Sequence, residues 1–141
     1  MTLAVPTGAA QAASTDRTVV HGTSVQARVG SCYASGCNHK NPYKTICVRD
    51  GKWKQKVFNY DGQVAYLYYS RKCRAVWTEM WNAPKGTKIG VLRVSSGSPA
   101  SYARATSNPH TWTGMISDKG YKAVAQICAN SVSICYNSGA Y

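Results

Sequence analysis

Acidic residues are scarce in this chain: five Asp and Glu stand against seventeen Lys and Arg in 141 residues, a formal charge of +12. So few carboxylates leave little material for paired-acid catalysis, which needs two facing carboxyls, or for an oxygen-ligand calcium site. No apolar run approaches the roughly 18 residues that a membrane-spanning helix needs. The sequence has no HExxH, no GxSxG and no CxxC, so the usual signals of a zinc protease, a serine hydrolase and a paired-thiol site are missing. Phenylalanine is nearly absent too, with one Phe against ten Tyr and four Trp. That bias suits half-wet surfaces, where a ring packs and its polar tip reaches water. Hydrophobic residues still make up 44% of the chain, enough for one domain's core, which excludes wholesale disorder.

The opening MTLAVPTGAAQAAS has a short apolar stretch, a Pro-Thr-Gly break and then small residues, and Ala10-Gln11-Ala12 fits a signal-peptidase site. The expected organisation is a residual signal peptide over 1–12, a flexible polar arm over 13–31, and a disulfide-stabilised β domain over 32–141, secreted to the extracellular space. The cysteines are Cys32, Cys37, Cys47, Cys73, Cys128 and Cys135. Outside the reducing cytosol they predict three disulfides, each worth about 2–4 kcal/mol. Spacing suits Cys128 with Cys135 in a local hairpin and Cys47 with Cys73 across neighbouring strands. Cys32 then meets Cys37, although a Cys37–Cys47 pair fits the spacing nearly as well. Cys32, Cys37, His39 and Cys47 could instead suggest zinc, but a metal there would strand the remaining cysteines. No metal and no cofactor is expected.

Along the chain, residues 32–50 carry Gly36, Asn38, Asn41-Pro42 and three cysteines, the composition of a stapled loop. Lys52 to Tyr60 alternates, Asp61-Gly62 offers a two-residue turn, and Gln63 to Ser70 alternates again: a β-hairpin. With Tyr60 opposite Gln63, Lys56 faces Leu67, Lys54 faces Tyr69 and Lys52 faces Arg71. Trp53, Val57, Val64, Tyr66 and Tyr68 then make the core face. The opposite face becomes a ladder of cations roughly 7 Å apart. Residues 73–82 hold Trp77 and Trp81 at helical spacing, but β-branched and aromatic content favours a strand. Residues 88–94, 111–116 and 121–128 read as further strands, the last also allowing a short helix. Residues 95–110 read as a Ser/Ala/Pro-rich loop. The fold class expected is all-β, a small antiparallel sandwich or barrel stapled by disulfides.

Catalysis has thin support. Glu79, His110 and Arg74 could be cast as the acid, base and phosphate ligand of a small hydrolase or toxin. Simpler readings serve each residue better: Glu79 neutralises a nearby cation, and His110 caps a loop. No catalytic residue is assigned. The charge says more, because most of the basic excess lies between Lys40 and Arg93, where Asp50, Asp61 and Glu79 are the only acids. The expected binding surface is Lys52, Lys54, Lys56, Tyr69 and Arg71, facing either a secreted protein partner or an anionic cell-wall polymer. An exported protein meets little nucleic acid, which is not the expected ligand, and no membrane span is expected.

Tyr69-Ser70-Arg71-Lys72-Cys73-Arg74-Ala75-Val76-Trp77 resembles a family of small secreted actinobacterial proteins catalogued as a domain of unknown function, marked by a Y-S-x-x-C-R-A-x-W segment. Cys32, Cys37, Asn41-Pro42, Cys47 and Asp50 match the family's cysteine-rich entry. Pro84-Lys85-Gly86, Thr113-Gly114-Met115 and Ala125-Gln126-Ile127-Cys128 are similar to its later parts. The resemblance covers about residues 31–135 and implies export, disulfides and no known catalytic residue. The Lys-rich first hairpin strand and Trp81 depart from the pattern, so no charge-dependent role is carried over. The chain is also similar to the small adapter subunit of actinobacterial umbrella-like toxin particles, which joins a lectin-bearing protease-like subunit to a large repeat protein. That likeness implies an arm over 13–31 that orders on a partner. Within the motif, Cys73 should anchor the hairpin, Ser70 and Arg74 flank it, the Arg74 fork should meet carbonyls or a carboxylate, and Trp77 should be the largest core anchor.

Overall fold

The computed structural model describes residues 30–141; the expected signal peptide and all but the last two residues of the expected arm lie outside them. Nine strands form two antiparallel sheets: β1 (Lys52–Phe58), β2 (Val64–Ser70), β3 (Ala75–Trp81), β4 (Lys88–Arg93), β5 (Ala100–Arg104), β6 (His110–Trp112), β7 (Ile116–Ser117), β8 (Ala123–Cys128) and β9 (Cys135–Asn137). One sheet runs β1-β2-β3-β6 with β7 also pairing β3, and the other runs β5-β4-β8-β9. The domain is an all-β sandwich with three disulfides, Cys32–Cys37, Cys47–Cys73 and Cys128–Cys135.

The two sheets face each other across Val57, Ala65, Leu67, Val76, Met80, Ile89, Val91, Ile116, Ala125 and Ile127. Thr78 Oγ1 donates across the gap to the Gly90 carbonyl at 2.7 Å. The first sheet is covered on its other face as well. Three short 3₁₀ turns, Ala34–Cys37, Pro42–Lys44 and Ile46–Arg49, lay the cysteine-rich segment over Ala75 and Trp77, with Cys37, Cys47, Cys73 and Met115 filling the space between. This double cover explains why every β3 residue from Ala75 to Met80 is buried. A strand sealed on both faces loses polar/apolar alternation, which is why residues 73–82 gave no clear period.

The hairpin forms, but its register differs from the expectation. Tyr60, Asp61 and Gly62 make a three-residue loop, closed by the Asn59 amide donating to the Gln63 carbonyl at 3.0 Å. The Asn59 side chain clamps Gln63 twice, accepting from its backbone N–H at 3.0 Å and donating to its Oε1 at 2.7 Å. Gly62 takes the left-handed φ of 78° that such a loop needs. The pairs therefore slip by one, giving Phe58 with Val64, Val57 with Ala65 and Lys56 with Tyr66. A bulge between Trp53 and Gln55 slips them again, so Lys52 faces Tyr69 rather than Arg71.

Two expectations fall with that register. The core face is Val57, Ala65 and Leu67, while Trp53 is 54% exposed and Tyr66 and Tyr68 lie on the opposite face. The cation ladder is broken, because the bulge leaves Lys54 beside Tyr69 and puts Lys56 on the Tyr66 side. Two smaller corrections concern later segments. Strand β5 lies inside the stretch read as a loop, and the 111–116 strand is split into β6 and β7. At the split, the Met115 amide and carbonyl turn to Lys40 and His39 of the cysteine-rich cover.

Candidate functional site

Four of the five expected surface residues converge. Lys52, Lys54, Tyr69 and Arg71 line one cleft of about 340 Å³, joined by Asp50 and Tyr141. The bulge builds it by turning Lys54 over the Tyr69 and Tyr141 rings, 5.9 and 5.3 Å from their centroids. Cation–π contacts of this sort are worth about 0.5–1 kcal/mol at exposed sites and restrict an otherwise mobile side chain. Burial, with the Asp118 charge adding to it, raises the Tyr69 hydroxyl above its ordinary pKa, so it remains a donor. Lys56 stands apart, its Nζ 5.6 Å from the Phe58 ring.

The single acidic side chain in the cleft is already engaged. Asp50 accepts from Ser70 Oγ at 2.6 Å and from the Lys72 amide at 2.9 Å. Burial alone would raise the Asp50 carboxyl, but these hydrogen bonds and the Lys72 charge outweigh it and hold it below the ordinary carboxylate range. Ser70 thereby acquires its role in the motif, since its Oγ also accepts from the Cys73 amide at 3.1 Å and ties the hairpin end to the disulfide. Arg74 takes a left-handed φ of 50° and sets Nε 3.7 Å from Asp118 Oδ1. Desolvation dominates at Asp118 and raises its carboxyl despite Arg74. Trp77 is fully buried and stacks on Tyr68 at 5.8 Å.

Glu79 and His110 do come together, in a way the sequence did not signal. The Glu79 carboxylate is buried and accepts from Trp77 Nε1 and, through both oxygens at 2.9 Å, from the Tyr43 hydroxyl. His110 Nε2 lies 2.7 Å from Glu79 Oε2. Burial, then the hydrogen bond and charge of Glu79, push the Tyr43 hydroxyl far up, which fixes it as a donor. Glu79 thus holds aromatic donors, not the Lys or Arg expected of it. Arg74 sits at the other end of β3 beside Asp118, so the three residues cast together for hydrolysis do not converge. Rings continue outward from this cluster: His110 stacks on Trp81 at 4.5 Å, and Trp81 leads to Tyr66 and Trp53.

The sulfurs of Cys32, Cys37, Cys47 and Cys73 all lie within 4.8 Å of one another. They are joined as two disulfides, with Cys32 Sγ 3.6 Å from Cys47 Sγ, and His39 is not part of the cluster. Three disulfides fit an oxidising extracellular environment, and no helix among the described residues is long and apolar enough to cross a membrane.

No match was found among curated proteins or among solved structures. One family model, described as a protein of unknown function (DUF2690), matches residues 35–127. The matched span runs from the first 3₁₀ turn into β8 and takes in the Glu79 cluster and all of the basic cleft except Tyr141. With most of the chain matched, this protein belongs to the DUF2690 family.

Proposed function

We propose that this domain is a secreted, non-catalytic adapter that binds an acidic surface of another protein through the Lys52–Lys54–Tyr69–Arg71 cleft. The observation that carries the reading is a charge imbalance with no internal remedy. Among the described residues, Arg74 is the one Lys or Arg with a carboxylate within 4.0 Å, and the remaining cations have none. The carboxylates are committed elsewhere: Asp50 to Ser70, Asp61 to Ser131, Glu79 to Tyr43, Trp77 and His110, and Asp118 to Arg74. A field of one sign steers an oppositely charged partner and favours its docking. The cleft adds what a bare charged face lacks, because the half-buried Tyr69 and the exposed Tyr141 offer rings between the cations. The non-catalytic reading is supported by Glu79, a buried residue whose carboxylate is taken up by its own neighbours.

The test is capture of the partner from culture supernatant by the wild-type chain and by a Lys52→Glu/Lys54→Glu/Arg71→Glu variant with an unchanged circular-dichroism spectrum. A partner held by wild type at moderate salt and lost by the variant supports the reading. Capture of the same partner by the folded variant overturns it. If the ligand is a wall polymer instead, binding collapses between low and moderate salt for wild type as well.

A further inference from the structure

A second concavity shares no residue with the basic cleft. It encloses about 420 Å³ between the first 3₁₀ turn, the end of β4 and the segment following β7. Its polar lining comes chiefly from Ser35, Arg93, Ser98, Ser117, Lys119 and Tyr121, and no carboxylate is among the lining residues. Asp118, between Ser117 and Lys119 in the chain, turns away to Arg74.

Both cations are laid against rings. The Arg93 guanidinium carbon lies 3.3 Å from the Tyr121 ring centroid, and Lys119 Nζ lies 5.1 Å from that of Tyr33. A stacked guanidinium has its plane fixed, which leaves its edge N–H groups for an acceptor in that plane. One of them is conspicuous: Arg93 Nε is buried and has no hydrogen-bond partner. A buried charged donor without an acceptor is costly, and a small shift of the guanidinium toward an oxygen in the pocket removes that cost. Ser117 Oγ accepts from the Lys119 amide at 3.2 Å, so its own O–H remains free to donate outward.

We propose that this pocket binds a phosphate group carried by a phosphate ester. Two cations with serine hydroxyls around them, and no acid, match an oxyanion with several acceptor oxygens. The Arg93 fork takes two of them, and Lys119 and a serine hydroxyl take the others. A planar carboxylate would satisfy Arg93 and leave Lys119 and the hydroxyls unused. The volume exceeds that of the phosphate group alone and leaves room for the alcohol it esterifies. The phosphate can belong to a small ester or to a polymeric phosphodiester, and the chemistry recognised is the same.

The experiment titrates the full chain with inorganic phosphate, exchanged against chloride at constant ionic strength, and follows amide and arginine side-chain resonances. The expected result is saturable shifts confined to Ser117, Lys119 and their neighbours, with the Arg93 side-chain N–H signals moving downfield as the guanidinium gains an acceptor. Arg93→Gln should weaken binding about tenfold or more. Lys119→Gln, at an exposed position where folding is safe, should weaken it severalfold. Lys44→Gln, exposed and outside both clefts, should leave it unchanged. Shifts spread over all the cations, or an Arg93→Gln/Lys119→Gln variant that binds like wild type, overturn the assignment. Glycerol phosphate and poly(glycerol phosphate) then identify the source: tighter binding per phosphate by the polymer indicates a polymeric diester, and tighter binding by the monomer a small ester.

Discussion

Gly51 has no side chain at the place where Trp77 passes: a Cβ built there would lie 2.6 Å from Cη2 and 2.8 Å from Cζ2 of the indole. Trp77 cannot step aside, because it is fully buried, stacked on Tyr68 and tied through Nε1 to Glu79. Gly51→Ala should therefore destabilise the domain by about 1–3 kcal/mol through overpacking. Chemical denaturation measures this, and an unchanged midpoint would show that the indole has slack. The importance of Trp77 was legible in the sequence, since a tryptophan four residues after a cysteine in an apolar run needs a core. The need for Gly51 was not, because it comes from a packing contact with a residue on another element. The surroundings of Glu79 are not legible for the same reason. Its partners Tyr43 and His110 lie 36 and 31 residues away along the chain, and nothing local announces them.

At the scale of elements, the β1–β2 hairpin shows what alternation can and cannot tell. The two strands and the Asp61-Gly62 turn were legible from period and turn chemistry. Register was not, because the Asn59–Gln63 clamp lengthens the loop by one residue and the bulge adds another. A period of two converts each such slip into an exchange of faces. That is how Trp53 left the core and how Lys56 moved to the Tyr66 side, while Lys54, in the bulge, stays beside Tyr69. The disulfides differ in what they hold. Cys47–Cys73 closes a separation of 26 residues and pins the cysteine-rich cover to the hairpin end, whereas Cys128–Cys135 closes 7 and joins β8 to the short β9. Chain entropy alone assigns about 3.5 kcal/mol to the first and about 2.4 kcal/mol to the second. Both sulfurs of the first are also fully buried, so its removal leaves unfilled space against Trp77. Cys47→Ala/Cys73→Ala should cost clearly more than Cys128→Ala/Cys135→Ala in denaturant midpoint. Equal or reversed costs would mean that the cover contributes little to the fold.

At the scale of the whole domain, the described residues form a two-sheet sandwich with a third, cysteine-rich layer on one face, and their charge is held almost entirely as unpaired cations. Composition made the sign and size of that charge plain. It did not tell where the four acidic side chains of the described residues would be spent, and their commitment to partners other than Lys is what leaves the cations unopposed. The recognition surface proposed here exists because of that arrangement. Unopposed like charges repel within the folded state, and salt relieves them over a Debye length of about 8–10 Å. The most direct measurement is the thermal midpoint of the isolated chain as sodium chloride is raised from low to physiological strength. The account predicts a midpoint that climbs with salt. One that falls, as in a fold held together by surface ion pairs, would contradict it.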